Sequence, residues 1–188
     1  MKKVILFAAA VLFGVAASAQ SAKFAHVNYN ELVTLSPAAD SARAVFQKAQ
    51  KEYIDEIKVM QEELKNKYQQ YQQKASTWTA SVRETKKKEL ADMQGRLQDF
   101  QQTAQNELQQ LESNKMAPVA QKAHDVVNDL AKKGGYIYVF EASSLLYVDA
   151  AQSTDLTPAA RKALGIPADR TLESLQAELQ AQAQQMQQ

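Results

Sequence analysis

The sequence contains no cysteine, and has 5 glycines, 4 prolines, 2 histidines and 1 tryptophan in 188 residues. Without cysteine there is no disulfide, no thiol nucleophile and no acylated cysteine behind a leader, which excludes a lipoprotein anchor. His26 and His124 have no paired spacing, and neither a calcium loop nor a glycine-rich phosphate loop occurs. Both histidines therefore read as structural or surface side chains. Ser143 and Ser144 fall in a strand connection rather than a nucleophile elbow. The carboxylates stand mostly beside lysine or glutamine at helical spacing, as solvated pairs. No catalytic constellation remains, so no enzymatic activity, no metal and no cofactor is expected.

Long apolar runs are also missing, save one over residues 4–15, preceded by Lys2 and Lys3 and followed by Ala17-Ser18-Ala19. That run is too short to cross a bilayer and has the parts of a cleavable secretory signal over residues 1–19. The chain from Gln20 is thus expected in the periplasm of a bacterial envelope. The full chain carries 22 basic and 21 acidic residues. Loss of Lys2 and Lys3 leaves 20 against 21, net −1. Whole-chain charge selects no partner, and no nucleic-acid recognition fold accompanies it.

What is present is helical periodicity. Phe46, Ala49, Tyr53, Ile57, Met60, Leu64, Tyr68, Tyr71, Ala75 and Trp78 step by three or four, as one apolar stripe does. Leu90, Met93, Leu97, Phe100, Ala104, Leu108 and Leu111 repeat the device, and Val119, Ala123, Val126 and Leu130 continue it less cleanly. Ser36-Pro37 supplies a cap and first helical residue, and Gly134-Gly135 a stop. Between the stripes, Ser81-Val82-Arg83-Glu84 has the spacing of a capping box, so a new helix is expected to start there. With so short a break the two helices should pack antiparallel as a hairpin over residues 37–133. Pro118 interrupts one ladder bond and predicts a bend.

Near the hairpin turn, Lys65, Lys67, Lys74, Arg83, Lys86, Lys87 and Lys88 face Glu84 alone within residues 65–88. Such a tip is either a solvated helix end or a surface for acidic clients or anionic lipid. Trp78 either packs across the turn or anchors at a membrane interface.

The flanks read as β structure. Residues 24–28 form a short strand, and residues 136–140 and 145–149 two apolar strands expected to make a hairpin. Continuous apolar strands need cover on both faces, and three strands from one chain cannot supply it. Another copy is the expected cover, through Phe24, Val27, Tyr136, Ile137, Val139, Leu146, Tyr147 and Val148. Asp155-Leu156-Thr157-Pro158 starts a short helix ended by Gly165, and a glutamine-rich tail over residues 166–188 reads as a weak amphipathic helix, docked or mobile. The fold class is mainly α with a small β base: a long antiparallel helical hairpin projecting from a short-stranded oligomerisation sheet. Residues 20–36 and 134–165 make that base.

In that order the parts resemble the Skp/OmpH family of periplasmic chaperones. The resemblance is carried by Phe24-Ala25-His26-Val27-Asn28, Leu32, Ser36-Pro37, Met116-Ala117-Pro118-Val119, Gly135-Tyr136, Val139, Ser144, Leu146-Tyr147 and Asp155-Leu156-Thr157. It implies a homotrimer with a barrel-like base and three helical tentacles around a cavity. It also implies ATP-independent holding of unfolded outer-membrane β-barrel proteins. Two features depart from the family pattern: the near-neutral charge, where better-known relatives are strongly basic, and the tail beyond Pro167. Two other functions fit the same residues, a structural coiled-coil protein of the envelope and a lipid-surface binder.

Overall fold

A computed structural model describes residues 22–186, so the predicted signal segment lies outside the described residues. Strand β1 (Lys23–Val27) and helix α1 (Tyr29–Leu35) precede two long helices, α2 (Pro37–Lys74) and α3 (Ala80–Gly134). Strand β2 (Tyr136–Glu141), a 3-10 turn (Ala142–Ser144), strand β3 (Ser153–Asp155), and helices α4 (Thr157–Leu164) and α5 (Leu172–Met186) complete the chain. The chain is mainly helical with a small sheet, as its periodicity predicts. It divides into two compact units, Val33–Lys122 and the remainder.

In the first unit the long helices arise where breakers are absent. Ser36 caps α2 through its hydroxyl, which accepts from the Ala39 amide at 3.2 Å, with Pro37 at the first helical position. Helix α3 runs without interruption through Pro118. It begins at Ala80, earlier than the predicted capping box. Thr79, not Ser81, receives the Val82 amide on its hydroxyl, at 3.4 Å. The earlier start sets Arg83 against the end of α2, where its guanidinium donates to the carbonyls of Ala75 and Trp78 at 3.0 and 3.3 Å. The helices are antiparallel: the rings of Tyr53 and Phe100 meet at a tilt with centroids 5.9 Å apart, and Lys67 pairs with Glu89 at 2.8 Å, so later residues of α2 meet earlier ones of α3. Ala39, Ala42 and Val119 form a buried cluster toward the open end of the pair, with Val33, Ala38 and Met116 packed on it.

The second unit holds the sheet, ordered β2-β1-β3, with both pairings parallel. This corrects the predicted hairpin between residues 136–140 and 145–149. The third strand is the polar triplet Ser153-Thr154-Asp155, whereas residues 145–149 are in no strand. Local polar contacts explain the switch. The Glu141 carboxylate accepts from the amide and hydroxyl of Ser143, turning the chain out of β2, and also from the Tyr29 amide at 2.8 Å. His26 Nδ1 lies 2.9 Å from the Ser153 hydroxyl, and the Leu156 amide donates to the His26 carbonyl, holding the triplet along β1. Gly135, at φ 69°, lets the chain leave α3 for β2. The core of this unit is Ala25, Val27, Leu32, Ala123, Val127, Leu156, Ala160, Leu164, Ile166 and Leu175.

Within the tail, α5 is docked through the buried Leu175. Thr171 and Ser174 cap its start reciprocally, the Thr171 amide donating to the Ser174 hydroxyl at 3.0 Å and the Ser174 amide to the Thr171 hydroxyl at 3.1 Å. Arg161 ties the approach to it, donating to the carbonyls of Pro167 and Arg170 while paired with Glu31.

Candidate functional site

Two surfaces carry the residues singled out by sequence, one in each unit. In the helical unit the turn is closed by an edge-on contact of Tyr71 with Trp78, ring centroids 5.8 Å apart. Trp78 is half-buried there, packed on Tyr71 across the turn. The cations of the run are not equivalent. Glu89 accepts from Lys67 at 2.8 Å and Lys86 at 2.7 Å, and these two ammonium groups hold its carboxyl down to about 2. Arg83 is spent on helix-end carbonyls. Lys65, Lys74, Lys87 and Lys88 make no ion pair among the described residues. Between the helices, Leu64, Lys65, Tyr68 and Tyr71 of α2 with Lys87 and Leu90 of α3 line an open trough of ≈ 600 Å³.

In the sheet unit, side chains alternate across the strands. Ala25 and Val27 point into the core, while Phe24 lies with Tyr138 and Phe140 at ring centroid distances of 6.4 and 6.5 Å. Tyr138 and Phe140 remain 61% and 43% exposed, and Ile137 is 56% exposed. Leu146 and Tyr147 are held almost entirely in solvent. β2 is an edge strand, with β1 on one side only. Behind the sheet, Val27, Tyr29, Val127, Ile137 and Val139 contribute to a concavity of ≈ 570 Å³. Burial and the nearby Asp125 push the Tyr29 hydroxyl up.

The model of the family described as outer membrane protein (OmpH-like) matches residues 23–164. The chain belongs to the OmpH-like family. Among solved structures it is similar to one from Caulobacter crescentus CB15, described as that of a candidate outer membrane chaperone (OmpH-like). The TM-score is 0.69 at 16% identity, covering 76% of this chain and 83% of that one, so the two share a fold. Comparison with curated proteins gives no match.

The OmpH-like match takes in both long helices and all three strands and ends at Leu164, the last residue of α4. α5 therefore lies beyond the matched residues. Of the predicted base residues, Val27 is in the chain's own core, Phe24, Tyr136, Val139 and Val148 are half-buried, and Ile137, Leu146 and Tyr147 are exposed. Sequence reasoning passed over Tyr138 and Phe140, although their alternation with Ile137 and Val139 gives one strand face to aromatic rings. It also missed Glu89, one residue past the basic run and reached by Lys67 across the hairpin.

No group of acidic or histidine side chains able to hold a metal occurs among the described residues. Nor is any described helix long and apolar enough to cross a membrane.

Proposed function

We propose that this OmpH-like chain is an ATP-independent holdase of the periplasm, which keeps unfolded outer-membrane β-barrel proteins from aggregating. The observation that carries the reading is the uncovered face and edge of β2. Tyr138 and Phe140 on one face of β2, Ile137 on the other, and Leu146 and Tyr147 beyond its end leave a single chain with exposed apolar side chains beside an open strand edge. Such a surface calls for a partner, and further copies of the chain supply it in a homotrimer. The paired helices of the copies then surround the client. Their exposed faces offer glutamine, alanine, lysine and glutamate, which give many weak contacts and no tight site.

Membership of the OmpH-like family supports this role, as does the description of the Caulobacter relative as an outer membrane chaperone. Lys2, Lys3, the run over residues 4–15 and Ala17-Ser18-Ala19 support export to the periplasm. The test dilutes a urea-unfolded outer-membrane barrel protein into buffer with the protein from Gln20 onward, without ATP, and follows turbidity. Near-stoichiometric trimer should keep the client in solution. Turbidity that several-fold excess leaves unchanged would refute the proposal, and crosslinking to a folded partner alone would favour a structural envelope role.

A further inference from the structure

We infer that the trough between α2 and α3 near the turn is a subsite for polypeptide segments in which a large apolar side chain is flanked by carboxylates. This rests on the holdase reading for the class of ligand and adds what the chain selects within it.

The shape comes first. At ≈ 600 Å³ the trough is in the range of sites that seat a compact ligand group. Leu64, Tyr71 and Leu90 are half-buried and line it with apolar atoms, while Tyr68 presents a ring that is 53% exposed. Every other α2 stripe residue from Phe46 to Trp78 is at least half-buried, so Tyr68 alone of that stripe is left open. Gln61 and Gln94 also line the trough, which keeps its apolar length short. That suits one or two side chains of a polypeptide better than the continuous length of an acyl chain.

Charge selects the neighbours of the apolar group. Lys65 and Lys87 line the trough from facing helices and make no ion pair among the described residues, whereas Lys67 and Lys86 share Glu89, which offsets one of their two charges and holds both ammonium groups. The alkyl stems of Lys65 and Lys87 extend the apolar wall and leave their ammonium groups free at the surface. An apolar side chain in the trough would bring adjacent carboxylates to those two cations. The same geometry disfavours a segment whose aromatic residue is flanked by lysine or arginine.

The experiment measures fluorescence anisotropy with the assembled protein from Gln20 onward and two labelled synthetic peptides of equal length. One alternates tryptophan and phenylalanine with aspartate; the other has serine in place of each aspartate. The acidic peptide should bind more tightly. The double variant Lys65→Gln, Lys87→Gln should weaken the acidic peptide about fivefold, as two exposed ion pairs allow, and leave the serine peptide unchanged. Tyr68→Ser should weaken both peptides by roughly fivefold through lost apolar contact. Lys58→Gln, an exposed cation of α2 that does not line the trough, should change neither.

Equal binding of the two peptides by the unaltered protein would overturn the inference. So would variants without effect, or variants that lose only phosphatidylglycerol vesicles, which would assign the trough to lipid. A protein that discriminates the peptides as described yet fails to suppress aggregation would sink the holdase reading and leave the subsite standing.

Discussion

Glu89 governs how much of the positive charge near the turn is available to a ligand. Its carboxylate lies between the ammonium groups of Lys67 and Lys86, and they hold it far below the ordinary value of 4.5. A depressed carboxyl contributes stability above its unfolded value, and that contribution is lost as the pH falls through the folded value. The pairing should therefore be complete at pH 5 and above, and fade only between about pH 4.5 and about pH 2. A carbon-detected NMR titration of the Glu89 carboxyl is expected to give a midpoint near 2, moved upward by Lys86→Gln. Because the pair is solvent-accessible, salt should raise the midpoint as well. An ordinary midpoint in the unaltered protein would show that the carboxylate is not shared. The lysines themselves were readable from sequence. Their partner was not, since Lys67 and Glu89 are 22 positions apart and meet only when the helices fold back.

The long helices owe their length to an unbroken stripe and to the scarcity of breakers within it, and one breaker offers a clean test. Gly95 has no neighbouring atom within 4 Å of an added Cβ and keeps an ordinary helical φ. Gly95→Ala should stabilise α3 by about 1 kcal/mol, through reduced backbone freedom in the unfolded chain. The check is a higher urea midpoint at unchanged slope, and an unchanged or lower midpoint would contradict it. The same physics decided what the sequence revealed of each element. Helix periodicity extends over tens of residues, so both seams were evident, and of the α2 stripe only Tyr68 is exposed. Ser36, Gly135 and Gly165 act locally and were equally plain. A three-residue strand has no period to read. Ser153-Thr154-Asp155 lacks apolar character and joins the sheet through β1 contacts remote in sequence. Residues 145–148 show the converse, strong β-type composition without a neighbouring strand in their own chain.

That composition without a partner sets the question for the whole molecule, because a patch left open in one chain is explained if copies associate through it. β2 allows the idea to be tested without unfolding the subunit. Val139 is half-buried in the single chain, so a charge there would confuse misfolding with dissociation. Ile137, at 56% exposure, would place an aspartate in water in the monomer and in a covered interface in the assembly. An unpaired carboxylate in such an interface costs several kcal/mol, enough to separate copies at micromolar concentration. Tyr138→Asp puts the same charge on the opposite strand face, among Phe24 and Phe140, and so asks whether both faces are covered. Sedimentation of the protein from Gln20 onward should give the mass of three chains. Ile137→Asp and Tyr138→Asp should each give the mass of one chain with helical circular dichroism retained. If only Tyr138→Asp dissociates the copies, the contact lies on the aromatic face alone and Ile137 leaves the interface. An unaltered protein that sediments as one chain would remove the enclosure on which the holdase depends.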